Sequence, residues 1–97
     1  MNSSIFSDQR HWPAIDGYRI LAVAGIGGFG TVYQAEDLQL GRRVAIKALP
    51  YRNEADRHNA LREAKLLAKL NHPNVVQIYQ ALAQDDAIYL VMEWVDA

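Results

Sequence analysis

Four of the six glycines in this 97-residue chain lie between residues 25 and 30, in a G-x-G-x-x-G-x-V pattern that ends at Val32. Glycines let backbone N–H groups approach phosphate oxygens without an intervening Cβ, so such a run can form an anion-binding concavity. Alone the pattern is weak, because glycine clusters also occur in ordinary turns. The β-branched and aromatic residues Thr31-Val32-Tyr33 predict a strand after it, whereas a dinucleotide-binding loop leads into a helix. The loop is therefore predicted to close a β-hairpin.

Lys47 follows Val44-Ala45-Ile46 at the end of an apolar segment. Side chains alternate along a strand, so Val44 and Ile46 are predicted on one face, and Ala45 and Lys47 on the other. Two interpretations stay open at this point. A lysine at a strand end commonly extends its ammonium group into water, and it can also direct that charge at a bound phosphate.

Glu63 lies within a predicted helix over residues 53–70, which is rich in strong helix formers. On a helical wheel with about 100° per residue, it is flanked within about 60° by apolar residues. These are Ala60, Leu66, Leu67 and Leu70, while Glu54, His58, Arg62, Lys65 and Lys69 lie on the far side. Glu63 is thus predicted on the face that packs on the sheet, where an unpaired carboxylate is costly. Lys47 is the best-placed partner; Arg43, nearer solvent, and escape of Glu63 at the helix edge are the alternatives.

The elements that must position these groups follow the order β-β-β-α-β-β. Strands are predicted over residues 18–24, 31–35, 43–49, 75–83 and 87–94, with Asn53 as the helix cap. Tight turns between neighbours favour antiparallel pairing. The predicted fold class is α+β, a five-stranded antiparallel sheet with one helix. Residues 1–16 are predicted to be a leader, partly ordered by Trp12 and Ile15, and residues 17–97 the folded domain.

Composition narrows the function classes. Ten basic and eleven acidic residues give a formal net charge of −1, which argues against a dedicated nucleic-acid binder. The chain has no cysteine, so disulfides and thiolate metal sites are excluded. Its apolar runs are too short for a membrane helix, and residues 1–10 lack the apolar core of a signal peptide. A cytoplasmic location is predicted, and a membrane anchor in a longer parent protein stays open.

From about residue 18 onward the chain resembles the N-terminal, ATP-binding lobe of protein kinases, in particular the bacterial Ser/Thr kinases of the eukaryotic-like (Hanks) type. Several motifs occur in the family's order and spacing. They are the glycine loop with Gly25, Gly27, Gly30 and Val32; Val44-Ala45-Ile46-Lys47; Arg62-Glu63-Ala64; His72-Pro73-Asn74; and the fifth-strand and hinge segment Tyr89-Leu90-Val91-Met92-Glu93-Trp94-Val95.

The resemblance implies a role for each matching position. Lys47 and Glu63 would be the catalytic pair, with Lys47 on the α- and β-phosphates of ATP. Met92 would be the gatekeeper beside the adenine, and Val32, Ala45 and Val23 would sandwich its ring. The residues implied to bind ATP are Gly25, Ile26, Gly27, Gly28, Phe29, Gly30, Val32, Ala45, Lys47, Met92, Glu93 (through its carbonyl) and Val95 (through its backbone). Leu67 and Ile78 would join a hydrophobic spine between the lobes.

The family's catalytic loop, Mg²⁺ ligands and activation segment have no counterpart within these 97 residues, so the C-terminal lobe is absent and no metal ligand is assigned. A parent protein would transfer the ATP γ-phosphate to Ser or Thr of a protein substrate, and the chain alone is predicted inactive. A pseudokinase-like interaction module is the alternative, and a dinucleotide-binding protein a second. A homo-oligomer is predicted through the surface that the other lobe would cover, including Val32, Ala45, Met92, Trp94 and Val95.

Overall fold

A computed structural model describes residues 12–27, 30–69, 76–84 and 86–96. Within these ranges the chain forms five strands and one helix. They are β1 (Tyr18–Gly27), β2 (Gly30–Asp37), β3 (Arg42–Pro50), α1 (Glu54–Lys69), β4 (Ile78–Ala83) and β5 (Ala87–Glu93). The strands form one antiparallel sheet in the order β1-β2-β3-β5-β4. The predicted α+β class and element order are confirmed.

The alternation predicted for β3 divides the core into two clusters. Val44 and Ile46 are fully buried with Tyr89 and Val91 in what we call the inner cluster. Leu49, on the opposite face of β3, packs with Ile88 and Leu90 of β5 and Ala64 of α1 in the helix cluster. Since each strand contributes alternate residues to the two faces, the sheet is covered on both sides along its central strands.

The sheet curls around the inner cluster. Its edge strands β1 and β4 lie at opposite ends of the strand order, yet the Gln80 amide donates a hydrogen bond to the Tyr18 hydroxyl. The guanidinium of Arg42 stacks 3.8 Å from the centroid of the Tyr79 ring, a cation–π contact. Ile15, which precedes β1, is 5% exposed and belongs to the inner cluster. Strongly twisted strands close in this way when a core of large side chains fills the curl.

Helix α1 begins as predicted and packs differently from the prediction. The Asn53 side chain accepts a hydrogen bond from the Asp56 N–H at 2.9 Å, so Asn53 is the N-cap. The buried face is centred on Ala64, with Ala60 and Leu61 beside it. Leu66, expected on this face, is 58% exposed, and that expectation is wrong. Small alanines let the helix approach the sheet closely, which rotates the packed face by about 100° from Glu63.

The β2–β3 turn is held by Asp37, which is 6% exposed. Its Oδ1 accepts hydrogen bonds from the N–H groups of Gln39 and Leu40 at 3.0 and 3.1 Å. Gly41 has a positive φ of 68° and donates to the Asp37 carbonyl at 2.8 Å. An Asp at the start and a Gly in the left-handed region at the end are the usual chemistry of such a turn.

Candidate functional site

The glycine loop closes the β1–β2 hairpin. Gly27, the last residue of β1, pairs with Gly30, the first of β2, and β2 continues directly to Asp37. Because a strand and not a helix follows the loop, the dinucleotide-binding alternative is wrong. Gly28 and Phe29, both predicted to contact ATP, lie outside the described residues.

Gly25, Gly27 and Gly30 of this loop differ in the space that a side chain would find. Gly30 has a φ of +127°, and a Cβ placed on it would lie 2.1 Å from the carbonyl oxygen of Ala48 in β3. A Cβ on Gly25 or Gly27 would meet nothing within 4 Å. Gly30 is therefore required by the packing of β2 on β3, whereas space is open beside the other two. The sequence pattern treats the three positions alike and could not separate them.

The strand register brings the predicted nucleotide residues onto one face of the sheet. Lys47 pairs with Val32 on one side and with Leu90 on the other, and Ala45 pairs with Met92. Paired residues of antiparallel strands project to the same side, so these side chains share a face with the helix cluster. Val32 and Met92 are half buried, while Ala45 is 8% exposed. Ala45 thus offers little surface for the predicted self-association.

Val23 does not share this face. It pairs with Tyr33, which pairs in turn with Ile46 of the inner cluster. The expectation that Val23 would help sandwich a ring is wrong. The register of β1 shifts between Ile20 and Ala22 and again between Val23 and Gly25, and a shift of one residue moves a side chain to the other face. A single sequence gives no sign of such bulges.

Lys47 occupies the boundary between the covered and the open part of this face. Its neighbour Leu90 is fully buried beneath α1, whereas its neighbour Val32 lies outside the helix cluster. Lys47 itself is half buried. The aliphatic stem of a lysine packs well on apolar surface while its ammonium group reaches the polar edge, which suits this boundary position.

Glu63 lies at the edge of the packed face of α1 and is half buried. It lines a cavity of about 280 Å³ together with Ala60, Leu49, Pro50 and Gly30. Glu63 therefore borders a space between α1, the end of β3 and the start of β2. The helical wheel centred the packed face on Glu63, whereas the buried residue at its centre is Ala64.

Arg43, the alternative partner for Glu63, is exposed. It lies four residues before Lys47, roughly 13 Å along the strand. With the amide of Gln34 turned so that its oxygen faces Arg43, that oxygen accepts from the Arg43 Nε at 3.1 Å. Arg43 thus belongs to the β2–β3 surface. Two ion pairs, Arg19–Glu36 and Arg42–Asp37, also lie at that end of the sheet.

The end of β5 is anchored to the segment before β4. The Glu93 N–H donates to the Gln77 carbonyl at 2.9 Å, and the Gln77 N–H donates to a Glu93 carboxylate oxygen at 3.4 Å. Beyond β5 the Trp94 indole N–H donates to Asp96 at 2.7 Å, and Val95 is 56% exposed. Met92 is thereby held in register beside Ala45, at the border of the open face.

Comparisons with known proteins agree on one family. Residues 18–97 match the model for the protein kinase domain. The chain is 45% identical over 82 residues to the serine/threonine-protein kinase PrkC of Bacillus subtilis, covering 81% of this chain and 13% of that protein. It is 40% identical over 73 residues to the probable serine/threonine-protein kinase mkcB of Dictyostelium discoideum, covering 74% and 10%. It is 36% identical over 83 residues to the cell division control protein 2 homolog 3 of Trypanosoma brucei brucei, covering 84% and 27%.

The chain therefore spans between 10% and 27% of the length of these three relatives. In the part of the chain that the structure describes, no helix has the length and apolar character needed to cross a bilayer.

Proposed function

Because this chain belongs to the protein kinase family, we propose that residues 18–97 form the nucleotide-facing half of the ATP site of a serine/threonine protein kinase. The observation that carries this proposal is the register that puts Val32, Ala45, Met92 and Lys47 on one face of three adjacent strands. Apolar side chains flanking a small alanine suit a flat heteroaromatic ring, and a lysine beside them suits its phosphates. ATP, with Mg²⁺ held by residues outside this chain, is the cofactor we propose.

In this proposal Lys47 binds phosphate oxygens, and Glu63 is a positioning residue that orients the Lys47 ammonium group. Glu63 projects from the edge of α1 toward the end of β3, two residues beyond Lys47. Both side chains are half buried, so a charge–charge contact between them is screened less than at an open surface. A small rotation of α1 about its alanine face would change their separation, since the helix rests on Ala60 and Ala64.

The remaining contacts follow from backbone geometry. The open space beside Gly25 and Gly27 leaves their backbone accessible to phosphate oxygens. The Glu93 N–H is engaged by Gln77, and we assign its carbonyl oxygen, with the Val95 backbone, to the adenine edge. The protein substrate is bound outside this chain. We also propose a cytoplasmic location and no nucleic-acid partner.

A titration with ATP tests the nucleotide site on the 97-residue chain. Binding with a millimolar constant, about 4 kcal/mol, is expected, with NMR shift changes at Val32, Ala45 and Met92. Lys47→Met should weaken binding about 5- to 10-fold, since a charge-assisted contact of about 1–1.5 kcal/mol is lost. The matched control is Lys65→Met on the exposed side of α1, which should leave the constant unchanged. Equal effects of Lys47→Met and Lys65→Met on the binding constant would contradict the proposed nucleotide site.

A phosphate-transfer assay tests the activity. The 97-residue chain should transfer no phosphate to protein, whereas a longer parent protein should, and Lys47→Met should abolish that transfer. A parent that binds partner proteins but neither binds nor turns over ATP would favour the interaction-module alternative.

A further inference from the structure

A second cavity lies at one mouth of the curled sheet, on the face opposite Lys47. Its volume is about 430 Å³. The residues that shape it are aromatic walls, a floor of alanines and one carboxylate at the rim: Trp12, Tyr33 and Tyr89; Ala48 and Ala87; and Asp86. Mouths of curled or closed sheets are common sites for small ligands.

The register explains why space remains there. Tyr33 of β2 pairs with Ile46, and Tyr89 of β5 pairs with Ala48 two residues further along β3. The two tyrosines therefore flank β3 on the same face, about 10 Å apart across three strands. Ala48 between them, and Ala87 at the start of β5, are too small to fill the gap. The cavity is built by placing the smallest side chains of this face between its largest.

The charge that the described residues bring to this cavity is negative. Asp86 is exposed at the rim, and the described residues that line the cavity include no lysine, arginine or histidine. Burial, and then the nearby Asp86 carboxylate, raise the pKa of Tyr89, and burial raises the pKa of Tyr33. Both phenols are thus neutral at physiological pH, and Asp86 is the single formal charge among the lining residues that the structure describes. A cation is the complementary ligand.

Trp12 adds a directional group. Its indole Nε1 is buried and has no hydrogen-bond partner among the described residues, although buried donors are nearly always paired. An oxygen atom near the charge of the ligand would satisfy it. The indole face also provides the strongest cation–π surface of the natural side chains.

We propose that this mouth binds an organic ammonium ion of the lysine or quaternary type, held by the faces of Trp12, Tyr33 and Tyr89 and by the carboxylate of Asp86. The side chains of Tyr33 and Tyr89 lie on the other side of the sheet from the nucleotide face. The cavity shares Gly30 with the glycine loop, but this residue has no side chain, so we expect the two ligands not to compete. A single layer of β-sheet separates the two sites, and Ala48 in the floor of the cavity directly follows Lys47 in β3.

Choline and its neutral isostere 3,3-dimethylbutan-1-ol are the probes for a first test. The readout is Trp12 fluorescence in the Trp94→Phe chain, because Trp94 is the other tryptophan. Choline is expected to saturate in the millimolar range. The neutral isostere should bind about 5- to 10-fold more weakly, because it makes neither a cation–π contact nor an ion pair with Asp86. Equal affinities would show an apolar cavity and overturn the proposal. So would failure of choline to saturate up to about 50 mM.

Substitutions locate the binding. Asp86→Asn and Tyr33→Leu should each weaken choline at least about 3-fold, while Asp16→Asn, an exposed carboxylate at the opposite mouth, and Lys47→Met should not. Should Tyr33→Leu fail to fold, Asp86→Asn decides, because its side chain is exposed. Unchanged choline affinity in Asp86→Asn, or loss of choline binding on addition of ATP, would refute the assigned site.

Discussion

Replacing Gly30 with alanine is expected to destabilise the fold strongly, although the glycine loop is usually considered for its contacts with phosphate. The new Cβ would lie 2.1 Å from the Ala48 carbonyl oxygen, and the next nearest atoms are the Ala48 carbonyl carbon at 3.3 Å and the Pro50 Cδ at 3.7 Å. The contact atom is backbone in a central strand, so it cannot move aside as a flexible side chain would. The φ of +127° is itself strained for any residue with a Cβ.

The magnitude follows from these two costs. Positive φ at a non-glycine residue costs about 1–3 kcal/mol, and moving β2 off β3 by about 1 Å loses packing worth roughly another 1–3 kcal/mol. A total of about 2–6 kcal/mol is a large share of the roughly 5–15 kcal/mol that stabilises a small domain. For a chain of this length the melting temperature should fall by at least about 8 °C.

Thermal unfolding followed by circular dichroism measures this effect, with Gly25→Ala as the matched control. Gly25 lies in the same loop and has open space around it, so alanine there should change stability by no more than about 1 kcal/mol in either direction. The reasoning is refuted if Gly30→Ala and Gly25→Ala melt within about 4 °C of each other, or if Gly30→Ala retains the wild-type transition.

Three further outcomes are expected. Asp37→Ala should cost about 2 kcal/mol in urea unfolding, since two backbone N–H groups of the β2–β3 turn lose their acceptor. Burial raises the pKa of Tyr33 and Tyr89 above 10.0, so their contribution to stability is present below pH 10 and is lost as the pH rises through the folded values; the loss should shrink in the two Tyr→Phe variants. The 97-residue chain should self-associate in light scattering, and replacement of exposed Leu66 and Val95 by serine should weaken the association.

For each of these three predictions, one result would contradict it. Asp16→Asn is the carboxylate control for the turn, and a stability cost equal to that of Asp37→Ala would remove the assigned role of Asp37. Stability that stays constant from pH 8 to pH 11, or that falls equally in the Phe variants, would contradict the tyrosine assignment. A monomeric mass up to high micromolar concentration, or an association that Arg62→Ser weakens as much as Leu66→Ser, would contradict the apolar interface.

Much of the local structure could be predicted from the sequence because local rules dominate it. The alternation of Val44 and Ile46 with Ala45 and Lys47 fixes which residues of β3 share a face. Short turns account for the pairing of β1 with β2, of β2 with β3 and of β4 with β5, but not for the pairing of β3 with β5, which are separated in the chain by α1 and β4. Asn53 caps α1 through its own side chain, an interaction within one turn of the helix. The hairpin at the glycine loop was predictable because β-branched and aromatic residues follow it. The pairing of Lys47 with Glu63 stays a prediction.

Only the tertiary structure decided the features that depend on distant strands. Helical periodicity predicted Leu66 on the face that packs on the sheet, but the helix packs through Ala60 and Ala64. Small alanine side chains let the helix approach the sheet closely, and this contact is made in place of one through the most apolar face. The strict need for Gly30 arises from Ala48, which approaches it across β2 and β3. The sequence determines the local conformation that each residue favours. The register and the curl of the sheet determine which backbone atom or aromatic ring lies opposite that residue, and both depend on all five strands together.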